Sequence, residues 1–374
     1  MKFTVSSTVI FNRLQVISRV INSKNSLPIL DCILIELKDG TLLLTASDKE
    51  TTLSTYLVVN EPDGEGQIAI SSKTLLDALR EISEQPLSFD INLDTLEVKI
   101  SYMNGRYNLV GQNADEYPLT LPFSGDTTIL NIPADVLLSG LNRTSFATAD
   151  DEIHPVMNGI YLDITPEDIT IAATDGHKLV RCHTVAAKGN EKSSLILAKK
   201  PVNMLRNFLL KEEGGVELRF DNRNAVMVSQ NYTMICRLIE GRYPNYNSVI
   251  PKNNPNRATV DRASFISALK RVSVFSSQVS SLVKLSMDYN RIKVSAQDID
   301  FSTSAEETIE CLYDGATMDI GFKANFFIDI LNNISSDSVI LELADPSRAG
   351  VIVPESQGEN EDLLMLLMPM MVND

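Results

Sequence analysis

At 374 residues the chain is too long for one ordinary core, and two or three domains are expected. A composition of 44% apolar and 22% charged residues excludes intrinsic disorder, and no apolar run reaches the roughly 18 residues that a membrane-spanning helix needs. The net charge of −16 argues against a nucleic-acid partner unless positive charge is gathered on one face.

The opening MKFTVSSTVIFNRLQ lacks the long apolar core of a signal peptide. Cys32, Cys182, Cys236 and Cys311 are widely spaced with no CxxC, so reduced thiols and a cytoplasmic location are expected. The first helix is predicted at 7–18, with Val9, Phe11, Leu14 and Ile17 as its sheet-facing set. Strands follow at 32–37 and 41–46 around an Asp39-Gly40 turn, then a helix at 71–79 and a turn at Asn104-Gly105. Further helices are predicted at 133–145, 198–205, 261–273 and 322–331, with Pro133 and Asp261 as helix-start residues. Strands at 216–220, 225–229 and 338–343 complete the pattern, an α+β chain of antiparallel sheets with helix pairs on one face. The last segment, DLLMLLMPMMVND, holds a nearly unbroken apolar run from Leu363 to Val372, placed where termini usually fray. It reads as a closing strand that also walls a site.

Three sets of anchors repeat with one period. LLLTASDKE, ITIAATDGH and IKVSAQDID end in Asp48, Asp175 and Asp298, spaced 127 and 123 residues apart. Helix-opening Lys73, Lys200 and Lys323 have the same two spacings, and Pro118, Pro244 and Pro369 are 126 and 125 apart. The chain therefore divides into thirds, 1–125, 126–253 and 254–374, each with two halves carrying one helix apiece.

The helical stretches hold the positive charge. Residues 7–24 carry +3, 198–214 carry +2, 261–273 carry +2, and 71–83, 133–145 and 323–334 balance to zero. The total of +7 leaves −23 on everything else, so one helical surface facing a polyanion is the functional reading and ordinary solvated helix faces the plain one. Asp175, His177 and His183 invite a metal-dependent hydrolase reading, but three histidines in the whole chain are few for a metal site. An aspartate that recurs in all three thirds is better explained as a turn residue. No GxSxG, GxxxxGK[ST] or GxGxxG occurs, so no catalytic residue, metal or cofactor is assigned.

MKFTV, LPIL (27–30), NGIYL (158–162), ATDGHKL (173–179), GRYPNYNSVIPKN (241–253) and MPM (368–370), in this order, make the whole chain resemble the bacterial sliding clamps, the beta subunits of DNA polymerase III. The resemblance implies three clamp domains per chain, sheets outside and two helices each inside, closing head-to-tail with a second chain into a six-domain ring around duplex DNA. It implies a homodimer contact between Tyr107 and Leu109 on one side and Val274 and Phe275 on the other. With the helix charges, it marks Lys24, Lys73, Arg80, Lys199, Lys200 and Lys270 as lining the hole and touching phosphates without sequence preference.

The resemblance also implies a groove for short linear peptides from the polymerase alpha subunit, the clamp loader, other polymerases and repair factors. The matching residues are Met157, Thr174, Gly176, His177, Lys178, Leu179, Pro244, Val249, Leu366, Leu367, Met368, Pro369 and Met370. Adaptable methionines and stiff prolines suit such a groove. Ser248, His154, Pro155 and the tail beyond MPM depart from the family pattern, which bears on peptide preference. The rival from another class is a repeat-built peptide scaffold that does not encircle DNA.

Overall fold

The computed structural model describes residues 1–118, 123 and 126–372, so the end of EYPLTLP, Asn373 and Asp374 lie outside the described residues. The first round of elements is β1 (Lys2–Ser6), α1 (Ser7–Ile17), β2 (Cys32–Lys38), β3 (Thr41–Ser47), β4 (Thr51–Val58), β5 (Asn60–Asp63), β6 (Gly66–Ser71), α2 (Ser72–Leu79), β7 (Pro86–Asn92), β8 (Glu97–Tyr102) and β9 (Gly105–Val110). The second is β10 (Thr128–Pro133), α3 (Ala134–Thr144), β11 (Gly159–Ile164), β12 (Ile169–Thr174), β13 (Lys178–Thr184), β14 (Ser193–Ala198), α4 (Lys199–Phe208), β15 (Gly215–Phe220), β16 (Asn224–Val228) and β17 (Tyr232–Arg237). The third is β18 (Asn256–Asp261), α5 (Arg262–Ser273), β19 (Leu282–Asp288), β20 (Arg291–Asp298), β21 (Thr303–Glu310), β22 (Met318–Lys323), α6 (Ala324–Asn332), β23 (Ser338–Leu343), β24 (Gly350–Pro354) and β25 (Glu361–Leu367). Apart from the extra β5, every round is strand, helix, three strands, played twice.

Each helix starts directly from a strand. Ser6, Ser71 and Asp261 cap α1, α2 and α5 by accepting the backbone N–H three residues on. α1 buries Ile10, Leu14 and Ile17, whereas Val9 is 44% exposed. The expected face was therefore misplaced at its start, because Val9 and Phe11, two residues apart, cannot share one side of a helix. The Asp39-Gly40 turn is as expected, with both residues at positive φ between the paired Lys38 and Thr41. The next hairpin differs: Tyr102 pairs with Gly105, so its turn is Met103-Asn104, one residue earlier than Asn104-Gly105.

Two compact units emerge, and they cut across the sequence thirds. The first holds Met1–Asp135 and Lys200–Leu238, the second Val136–Lys199 and Ile239–Asp374. In the first unit an eight-stranded sheet runs β10-β15-β16-β17-β4-β3-β2-β6, and β5-β1-β7-β8-β9 form a separate sheet. In the second, β14-β11-β12-β13-β25-β24-β23-β18 form the eight-stranded sheet and β21-β20-β19-β22 the smaller one. Each large sheet is thus fused from strands of two successive rounds, at β17–β4 and at β13–β25. The apolar tail is the last of these fusions, and buried Leu363, Met365, Leu366 and Leu367 explain its composition.

The recurring aspartates are turn residues in all three rounds. One oxygen of Asp48 accepts the N–H groups of Glu50 and Thr51, Asp175 those of His177 and Lys178, and Asp298 those of Asp300 and Phe301. The second oxygen of Asp48 receives the Lys200 ammonium, which also donates to Val20 O and Asn22 Oδ1. All three Lys200 donors are thereby used inside the first unit. The cysteines are buried and burial raises their thiols, Cys32, Cys182 and Cys311 to about 11 and Cys236 to about 12.

The Asp48 carboxylate is only 6% exposed, so removing its partner leaves a buried charge. The Lys200 side chain is 31% exposed, and water recovers part of that loss. Lys200→Ala is expected to lower the unfolding free energy by about 2 kcal/mol in urea titration, with Asp48→Asn/Lys200→Ala recovering part of it.

Candidate functional site

The turn between β12 and β13 is held from every side. Thr174 N–H donates to Tyr243 Oη at 3.0 Å, and Thr174 Oγ1 donates to Lys178 O at 2.8 Å while accepting Gly176 N–H at 3.1 Å. Gly176 has φ +85°, a conformation that favours glycine. Lys178 is buried, its ammonium 2.5 Å from Asp175 Oδ2 and 4.2 Å from the centre of the Phe326 ring. Phe326 also carries Lys323 at 4.7 Å on its ring and lies 5.9 Å from the His177 ring.

Beneath this turn is a cluster of Ala172, Leu179, Ile196, Tyr243, Tyr246, Ala349 and Leu366. Tyr161 stacks on Tyr243 at 4.7 Å and meets Tyr246 edge-on at 6.0 Å. Burial raises both Tyr243 and Tyr246, the latter to about 12 with help from the Asp163 carboxylate, to which it donates at 3.0 Å. The motifs NGIYL and GRYPNY serve this packing. Asn158 hydrogen-bonds both backbone groups of Asp151, at 2.9 and 2.8 Å. A side chain at Gly159 would strike Leu197 O at 2.5 Å.

Of the thirteen expected groove residues, four do not face solvent. Lys178, Leu179, Leu366 and Leu367 are buried because they are the paired residues that fuse β13 to β25. Leu179 and Leu366 form the floor. The accessible residues are neighbours of that floor: Met157 beside Val156, Pro244 beside Tyr243, and Val249 beside Ile250. Met368, Pro369 and Met370 continue from Leu367, Met368 N–H reaching His177 O at 2.9 Å and Met370 N–H reaching Gly321 O at 2.8 Å. Val249 is 56% and Met368 42% exposed. The result is an apolar rim over a rigid aromatic base, suited to taking apolar side chains of an extended segment. Sequence reasoning missed Phe326, Lys323 and the tyrosine trio. Phe326 lies next to core Phe327 in a helix, and composition does not separate the two.

The hydrolase reading does not assemble. His183 pairs with Asp168 at 3.2 Å and His154 with Asp151 at 2.8 Å, while Asp175 is committed to its turn and to Lys178. Six residues of extended chain separate His177 from His183 by about 20 Å. Among the described residues no three His, Cys, Asp or Glu side chains group as metal ligands.

Comparison with known proteins matches the whole architecture. The family profiles of the DNA polymerase III beta subunit match in order, the N-terminal domain over 1–122, the central domain over 131–245 and the C-terminal domain over 247–371. The chain is 25% identical to the beta sliding clamp of Pseudomonas putida, over 99% of this chain and 100% of that protein. It is 27% identical to that of Buchnera aphidicola, over 98% and 100%. A crystal structure of the Bartonella birtlesii sliding clamp bound to griselimycin superposes with TM-score 0.91 at 26% identity, covering all of both chains. The chain belongs to the bacterial DNA polymerase III beta subunit family.

The cations expected along the sliding clamp's hole are not equivalent. Lys24, Lys73 and Lys270 are exposed and have no ion-pair partner among the described residues. Arg80 pairs with Asp77 at 3.2 Å and Lys199 with Asp150 at 2.6 Å, both on open surface. Lys200 is a correction: its donors are consumed internally, so it is a structural tie and not a free phosphate ligand. At the expected dimer contacts, Tyr107 and Leu109 are half-buried on β9, an outermost strand, with Tyr102 Oη donating to Tyr107 Oη at 3.4 Å. Val274 is 76% and Phe275 40% exposed at the end of α5.

Tyr243→Phe removes the acceptor for Thr174 N–H but keeps the ring stack. It is expected to cost about 1 kcal/mol in denaturant unfolding and to weaken whatever the turn at Gly176–His177 binds, read by calorimetry on the ligand.

Proposed function

We infer that this chain is a DNA sliding clamp, a processivity factor and not an enzyme, working in the cytoplasm as a head-to-tail homodimer that closes around duplex DNA. The observation that carries this reading is the pair of open edges. Within the chain, successive rounds fuse their sheets by antiparallel pairing, which leaves β9 at one end of the series and β21 at the other. A second copy presenting β21 to β9 would continue the same pattern, with Tyr107 and Leu109 meeting Val274 and Phe275. Two different patches on one chain close into a ring when the rotation allows, and pairing removes edges that would otherwise aggregate. The three thirds 1–125, 126–253 and 254–374 are then the clamp domains. No helix among the described residues is long and apolar enough to cross a membrane.

Hold on DNA is topological. Lys24, Lys73 and Lys270, with Arg80 and Lys199 exchanging their carboxylate partners for phosphate, supply weak, mobile attraction that does not arrest sliding. The ring should have a mass near twice 41.3 kDa, stay on nicked circular DNA through gel filtration at 0.2 M salt, and be lost after linearisation. Equal retention on both forms, or on neither, defeats encirclement and favours the peptide scaffold that does not encircle DNA.

The rim over the tyrosine base is proposed to take short linear peptides of the polymerase alpha subunit, the clamp loader and other replication and repair proteins. Met157, His177, Pro244, Val249, Met368, Pro369 and Met370 supply contact, and Thr174 and Gly176 the shape. Tethered enzymes then act at high effective concentration on the same template. Removing Met368–Asp374 is expected to abolish peptide binding, measured by fluorescence anisotropy, while the dimer persists. The cut starts at Met368 because Leu366 and Leu367 hold the β13–β25 pairing, and their loss would confound the result.

A further inference from the structure

The two sheet fusions inside the chain share a detail. β17 joins β4 over five antiparallel pairs, and just beyond them Arg237 N–H donates to Glu50 O at 2.8 Å. β25 joins β13 over seven pairs, and just beyond them Met368 N–H donates to His177 O at 2.9 Å. Glu50 and His177 hold one place. Each is the third of the four residues enclosed by the last strand pair of its hairpin, Ser47 with Thr52 and Thr174 with Leu179. In both fusions the arriving strand runs antiparallel and brings its C-terminal end to that turn.

A third turn of this kind joins β20 to β21, closed by the pair Asp298–Thr303, and its third enclosed residue is Phe301. β21 is outermost in its sheet, so no strand arrives there. The side chains also differ. The first and third places hold Asp48 and Glu50 in one turn and Asp175 and His177 in the next, but Ile299 and Phe301 here. Glu50 forms an ion pair with Arg237 of the arriving strand at 3.3 Å. Ile299 and Phe301 are 81% and 77% exposed, on a turn held by Ser302 N–H donating to Ile299 O and Phe301 N–H to Asp298.

The strand that fits is β9, the other open edge. Its C-terminal end carries Leu109 and Val110, the latter 74% exposed. Near its other end is Arg106, exposed and without an acidic partner among the described residues, as is Glu310 at the far end of β21. Antiparallel docking brings the apolar ends together and Arg106 towards Glu310. Parallel docking would set Phe301 beside Arg106 and Glu310 beside Val110. Both chemistry and the internal pattern select the first.

We propose that the Ile299–Phe301 turn is an apolar clasp on a second copy of this chain, seated against the Leu109–Val110 end of its β9 and setting how tightly the seam holds. It rests on the ring reading and adds a contact to those that reading assigns. Where the fusions within the chain use a polar turn residue, the contact between copies uses an apolar pair, because association has to overcome lost translational freedom that a covalently linked junction does not face.

Sedimentation equilibrium tests the clasp. Ile299→Ser/Phe301→Ser is expected to raise the dimer dissociation constant roughly tenfold or more, with thermal unfolding unchanged because both residues are exposed. If the unaltered chain is a monomer at tens of micromolar (roughly the range of weak association), the ring reading fails and the clasp with it. If it dimerises, Val274→Asp weakens the dimer and the double variant does not, the clasp alone is overturned. A second arm mixes Val110→Cys chains with Phe301→Cys chains and adds a short bismaleimide. Because the native cysteines are buried, a covalent dimer forming only in the mixture supports the seating, and its absence overturns it.

Discussion

Backbone hydrogen bonding at strand edges organises this protein. An antiparallel sheet ends in a row of unpaired N–H and C=O groups, which either pair with another strand or remain open to aggregation. The chain meets this requirement by lending strands between successive rounds, β17 to β4 and β25 to β13. Each fusion welds parts of two rounds into one compact unit, which is why the packing units do not follow the sequence thirds. Two edges remain, β9 and β21, and the proposed assembly follows from them.

The same welding builds the peptide site. Fusing β13 to β25 buries Leu179, Leu366 and Leu367 and brings the last residues of the chain beside the Thr174–Lys178 turn. The turn is rigid because Asp175 satisfies two amides and a buried ammonium together. A buried pair of this kind contributes more to a fixed shape than to net stability. Exposed Met368 and Val249 then stand on a base that does not rearrange, so a ligand need order only itself.

Much of this was legible in the residues. The repeat, the α+β class, the recurrent turn aspartates and the helix positions follow from local pattern. The accessible and buried members of the groove were not separable, because Leu366 and Met368 are equally apolar and only strand pairing distinguishes them. Charge counting had the same limit. Lys200 and Lys270 look alike in sequence, yet one ammonium is enclosed by Val20, Asn22 and Asp48 and the other is exposed. The face of α1 was misread at Val9 because the helix starts without a loop from β1, which sets its phase.

Sequence alone thus determined the periodic unit: which stretches are helices, which are strands, and that the set recurs three times. These depend on interactions a few residues apart, which composition and spacing record directly. Tertiary structure decided which strands of different rounds join, and therefore which cations, leucines and edges stay available. Those outcomes depend on hydrogen bonds between residues some 180 positions apart, Leu179 with Leu366 and Cys236 with Thr51, and no local pattern encodes them.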